Sequence, residues 1–183
     1  MRMAPHRHLV QFYENNEVLA RTVGAYLGNT LARGERAVVS STSSHRRAFS
    51  RELTEQGFDV RQLVWNRRMI FCDARETLAQ FMVDGQPDPD LFEKAVGSIV
   101  RNFAAPSQSG LCVYGEMVDL LWNAALSTAA SRLEGLWNAL LATNHFNSCA
   151  PINRRLRRGI PVRGSCAPTP TWFRQAPANW AAP

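Results

Sequence analysis

"CVYGEMVDLLW", residues 112–122, decides the fold. The run from Leu111 to Tyr114 is apolar and strand-like, Gly115 ends it, and Glu116 follows at once. Val118, Leu121 and Trp122 then recur at helical spacing, the signature of an amphipathic helix. A buried strand running straight into a helix is the building unit of an α/β protein. A carboxylate at the carboxyl end of such a strand stands where these folds place ligand-handling residues.

The same alternation extends to both sides. Upstream, "HLVQFY" (8–13), "ERAVVSS" (35–41) and "MIFCDA" (69–74) read as strands, with "DVRQLVW" (59–65) a weaker edge strand. Between them, 17–34 places Val23, Leu27 and Leu31 on one helical face before Gly34, and 43–57 is a helix with a serine cap and a closing glycine. Residues 74–85 form a helix, "DGQPDPD" (84–90) is a turn-rich loop, and 90–105 is an amphipathic helix. Downstream, 118–144 is helical with a break near Ser127. Strands separated by helices require a mainly parallel sheet with helices on both faces.

Bulk properties narrow the class. With 183 residues and 45% hydrophobic content the chain forms one ordinary globular domain, large enough for a core without disulfides or metals. No apolar run is long enough to span a membrane. "MRMAPHRHLVQFY" lacks the apolar stretch of a signal peptide, so a cytoplasmic location is expected. The four cysteines contain no CxxC pair, and Cys72 and Cys112, inside strand-like runs, read as reduced core thiols. The net charge of +6 is localised: residues 1–149 hold 15 Lys+Arg and 15 Asp+Glu, whereas 150–183 hold six arginines and no acid. With six of the ten prolines as well, 147–183 reads as an irregular or disordered Arg/Pro-rich tail beside a domain at 8–146. A basic face on the domain itself is not indicated.

Several residues have the character of a site. The segment "SSTSSHRRAFS" occupies the position of a phosphate loop but has no glycine and no lysine, so ATP hydrolysis by the standard mechanism is not expected. Ser43, Ser44, His45 and Arg46 at a helix start can hold an anion, or simply cap the helix. Asp73 and Glu116 each follow a buried strand and converge on one sheet edge if both strands are central. Asp73 also reads as a good N-cap, which Glu116 does not. His6 and His8 form an HxH pair with no second pair to complete a metal set. Trp122 and Trp137, with Tyr114, can line an apolar pocket or belong to the core.

Five pieces in order resemble the MEDS domain, a sensory domain of methanogens and methylotrophs that includes DcmR-type regulators. They are His8 with Phe12 and Tyr13, Gly34-Glu35, Asp73 to Met82, Gly115 to Met117, and Leu133 to Asn138. The resemblance implies a RecA/KaiC-like three-layer sandwich without an intact phosphate loop. It also implies the sensing of small molecules, hydrocarbon derivatives among them, beside DNA-binding or histidine-kinase modules. His8, Asp73 and Glu116 fall on its motif positions. One departure is that "HFNSCAPINRRLRRG" stands where the family has an apolar strand, as if a core strand were missing.

The reading that results is a non-catalytic small-molecule sensory domain in bacterial signal transduction or transcriptional regulation. His8, Tyr13, Ser43, His45, Arg46, Asp73, Glu116 and Trp122 are its ligand contacts, with no metal and no cofactor. No helix-turn-helix or kinase pattern is visible. Output is therefore expected through a regulatory partner protein or self-association, with direct nucleic-acid binding and membrane contact not expected. Two alternatives stay open: a hydrolase using Glu116 and His8, and a nucleic-acid-associated protein acting through the basic tail.

Overall fold

Five strands pair in parallel in the order β1-β7-β6-β2-β3. They are β1 (His8–Tyr13), β2 (Arg36–Ser41), β3 (Met69–Asp73), β6 (Leu111–Gly115) and β7 (Asn147–Asn153). The computed structural model describes residues 8–13, 15–104, 110–143 and 147–153, with 8–12 and 147–153 at the level of the backbone. The mixed α/β architecture with a small parallel sheet is the one expected from the alternating pattern.

Alternation of side chains along β2 and β6 generates two apolar cores. Ala37, Val39, Cys112 and Tyr114 join one cluster with Leu19, Leu27, Phe49, Leu53 and Leu63. These come from α1 (Asn16–Ala32), α2 (Ser43–Glu55) and α3 (Val60–Trp65). Val38, Leu111 and Val113 join the other with Phe81, Phe92, Val100, Met117, Leu133 and Trp137. Its helices include α4 (Ala74–Ala79), α5 (Pro89–Phe92), α6 (Ser98–Ala104), α7 (Met117–Asn123) and α8 (Ser127–Thr143).

The order of connections places a site. From β2 the chain leaves through α2 and α3 to β3 on one side, and from β6 it leaves through α7 and α8 to β7 on the other. Phe49 and Leu53 of α2 belong to the first core and Met117 and Leu121 of α7 to the second. Beyond the carboxyl ends of β2 and β6 the connections therefore diverge, which makes a topological switch point and the usual location of ligands in open α/β sheets.

Four segments differ from the sequence reading. Residues 59–65 are not an edge strand: Val60–Trp65 is helical, started by the Asp59 carboxylate, which accepts the Gln62 N–H at 3.0 Å. The helix expected over 74–85 stops at Ala79, because Met82–Val83 (β4) and Gln86–Pro87 (β5) form a hairpin across Asp84-Gly85. Both turn residues have positive φ, 47° and 76°, the requirement of a tight two-residue turn. The helix at 90–105 is interrupted by a π-helical turn, Glu93–Gly97. Apolar residues spaced by four, Phe92, Val96 and Val100, drift off an α-helical stripe, and the wider π turn takes up the drift.

The fourth difference concerns the region read as tail. Asn147–Asn153 forms β7, between β1 and β6, so the core strand thought to be missing is present. The rest of that region, 154–183, lies outside the described residues. The break near Ser127 is found as expected, with Ala125 at φ 60°.

Candidate functional site

Glu116 is only 2% exposed and sits at the switch point. The β2–β6 register sets Ser40 against Gly115, and the Glu116 N–H donates to the Ser40 carbonyl at 3.0 Å, which fixes its backbone at the mouth of β2. Its carboxylate is engaged on both oxygens. Oε2 accepts the Thr42 N–H at 2.8 Å. Oε1 accepts the Tyr114 hydroxyl at 3.0 Å and meets His45 Nδ1 at 2.7 Å. One acid thus joins the ends of β2 and β6 to the start of α2. Thr42, the N-cap of α2, makes no side-chain capping bond, and Glu116 takes one of the free N–H groups instead. The cap therefore comes from a distant carboxylate and not from a local serine, as the sequence suggested.

His45 responds to this neighbour. The hydrogen bond to Glu116 raises its pKa above the ordinary 6.5, against a smaller opposing effect of burial, with the charges of Glu116 and Asp119 adding to the rise. The ring lies near Phe49, which meets Tyr114 edge-on at 5.2 Å between centroids. A second buried carboxylate, Asp119, stands one helical turn from Glu116. Its Oδ2 accepts the Tyr13 hydroxyl at 2.9 Å and the Asn123 amide at 3.1 Å, tying β1 to α7.

The residues singled out from sequence are only partly gathered. His45, Glu116 and, through Asp119, Tyr13 belong to one buried polar region. Asp73 ends β3 on the far side of β2, and its Oδ1 accepts the N–H groups of Arg75 and Glu76 at 2.9 and 3.1 Å. It acts as the N-cap of α4. Ser43 is exposed, and the exposed Arg46 guanidinium stacks 4.7 Å above the Phe71 ring. Trp122 is half-buried against the second core. His8 lies on β1 and its side chain lies outside the described residues.

The sequence reading missed Ser40, Ser41, Thr42 and Asp119. Asp119 had a signal, an acid three residues after Glu116 on an otherwise apolar helix. Ser40 and Ser41 are 4% and 1% exposed, and their hydroxyls have no hydrogen-bond partner. Unpartnered buried hydroxyls are uncommon and mark a place for a further polar group. Ser40 lines a cavity of about 10 Å³ with Val38, Cys72, Thr77, Val96 and Trp137, space for about one water molecule. Among the described residues no cluster of three or more His, Cys, Asp or Glu is placed to hold a metal. No described helix is long and apolar enough to cross a membrane.

The model of the family described as MEDS, the methanogen/methylotroph, DcmR sensory domain, matches residues 7–156. No curated protein matches the chain. The match covers most of the chain, from β1 through β7, and with it the whole polar region around Glu116, so this chain belongs to the MEDS family of sensory domains.

Proposed function

We propose that the domain is a non-catalytic small-molecule sensor whose ligand enters at the carboxyl ends of β2 and β6. The observation that carries this reading is the membership of a sensory family together with two unpartnered buried hydroxyls, Ser40 and Ser41, at the switch point. A ligand supplying one polar atom to Ser40 gives that hydroxyl a partner that no described protein group provides, which is a source of binding energy. His45, Ser43, Arg46, Tyr13 and Trp122 are the flanking contacts, with His8 at the end of the sheet that carries β1. Asp73 and Glu116 act on the ligand indirectly, one through the start of α4 and the other through His45.

Signalling follows from differential affinity, because a ligand shifts a conformational equilibrium only if it binds one state better. Glu116 and His45 link two strands to α2, so a ligand that displaces His45 releases the start of that helix. The affected output is a regulatory partner, a histidine kinase or DNA-binding regulator, or a second copy of the chain. A RecA/KaiC-like three-layer arrangement and a cytoplasmic location, with Cys72 and Cys112 as free thiols, complete the proposal.

The hydrolase alternative is now drawn to the His45–Glu116 pair, which resembles a base held by its orienting acid. Among the described residues no serine hydroxyl is hydrogen-bonded to His45, so a hydrolase built on this pair would activate water instead of a side-chain nucleophile. Melting of the chain against nucleotides, one-carbon compounds, short halocarbons and small acids tests both readings. A compound that raises the Tm of the parent but not of Ser40→Val supports the sensor, since only native-state binding shifts the midpoint. Recovery of that compound as a chemically altered product would sink the non-catalytic reading.

A further inference from the structure

Trp65 is 86% exposed, far more than any other large apolar residue described. It closes α3 beside Val64, itself 42% exposed. The surrounding stretch, residues 60–72, holds Arg61, Arg67 and Arg68 and no acid. Arg61 and Arg67 are exposed and have no ion-pair partner among the described residues. Tryptophan and arginine are the residues most often found at the energetic centre of protein interfaces.

The chain carries a patch of the opposite kind. The β4–β5 hairpin and the start of α5, residues 82–91, hold Asp84, Asp88 and Asp90 and no basic residue. Asp88 is used as the cap of α5, but Asp84 and Asp90 are exposed and without an ion-pair partner among the described residues. Val83, 46% exposed, adds an apolar contact. The two patches cannot satisfy each other within one molecule. Leu63 of α3 packs into the first core, whereas Phe81 and Phe92, which flank the hairpin, pack into the second, on the other face of the sheet.

We propose that the Trp65–Arg61–Arg67 surface docks onto the Val83–Asp84–Asp90 hairpin of a second copy of this chain. The contact is head-to-tail, two different patches meeting, with apolar residues at its centre and opposite charges at its edge. It goes beyond the ligand reading and stands independently of it.

Sedimentation velocity on the full chain, over a wide range of concentration at low and high ionic strength, is the test. The parent associates as concentration rises, and high salt weakens the association, because charges at an exposed rim are screened within about 10 Å at 0.1 M salt. Trp65→Ala lowers the association constant about tenfold or more, the loss typical of a central aromatic. Arg61→Glu with Arg67→Asp abolishes association in one variant, and Asp84→Asn with Asp90→Arg does so in another. Asp and Asn are chosen at 67 and 84 because both positions have positive φ, which those side chains tolerate. Mixing the two variants restores association, since each still offers the patch that the other has reversed. Circular dichroism confirms that every variant is folded. A parent that stays monomeric throughout overturns the proposal, even if an acidic peptide or an oligonucleotide perturbs Trp65. So does association that survives both charge variants.

Discussion

At the scale of single residues, Glu116 is the residue on which most of the site's geometry depends. Three groups meet its carboxylate and almost none of it reaches solvent. Glu116→Ala removes the carboxylate that the Thr42 N–H, the Tyr114 hydroxyl and His45 Nδ1 share in a largely buried place. Each lost hydrogen bond costs about 1–3 kcal/mol, partly recovered by relaxation. A loss of about 2–4 kcal/mol in urea unfolding is the expected outcome, and a loss below about 0.5 kcal/mol, the range of surface substitutions, would show that the network is dispensable. His45 makes the same link depend on pH. Its pKa is raised in the fold, so the folded protein binds a proton more tightly than the unfolded chain. The stabilisation is fully present below the ordinary value of 6.5 and is lost as pH rises through the higher, folded-state pKa. Denaturation midpoints measured across that window should fall for the parent and flatten for His45→Gln. This much of the site was half legible. The sequence marked Glu116 as an acid badly suited to capping a local helix, and it marked His45 at a helix start. It did not show that the two are partners, because 71 residues separate them and only the β2–β6 register brings them together.

At the scale of elements, the contact between α1 and α2 depends on two glycines. Gly24 and Gly28 lie one turn apart in α1, and a Cβ on Gly24 would sit 2.5 Å from Glu52 Cβ of α2. Alanine at 24 gains helix propensity of about 1 kcal/mol over glycine, yet the clash is with the root of a side chain, which cannot swing away. The expected result of Gly24→Ala is net destabilisation of about 1 kcal/mol or more, read from the thermal midpoint. A higher midpoint would mean that the helices separate at little cost. Gly28→Ala is milder, since its obstacle is the far end of Gln56. The elements whose type was misread share a cause. Residues 59–65 and 80–87 are short, and short segments take their state from caps and turns more than from periodicity. Asp59 as a cap and Asp84-Gly85 as a turn were both visible as residue types, and both outweighed the pattern of apolar residues around them.

For the whole molecule, β7 is the critical element. It pairs with β1 on one side and β6 on the other, so a chain ending at residue 146 leaves β1 with no neighbour and β6 with an open edge. Such a truncation is expected to melt without a cooperative transition, whereas a chain ending at 156 keeps one; cooperative melting of the shorter chain would show that β1 and β7 are accessory. Proline within a run argues against a central strand, and Pro151 is why this one was hard to read. The structure accommodates it because β6 pairs only as far as Cys149, and Pro151 lies opposite Gln11 of β1 alone. The sequence by itself determined the α/β alternation, four of the five sheet strands, the absence of glycine and lysine from residues 40–50 and the MEDS membership. All of these are written in local periodicity and short-range motifs. The tertiary structure decided the strand order, the divergence of connections beyond β2 and β6, the pairing of Glu116 with His45 and of Asp119 with Tyr13, and the exposure of Trp65. Those depend on which distant segments become neighbours, and hydrogen bonding across strands, unlike periodicity within them, leaves no local trace in the order of residues.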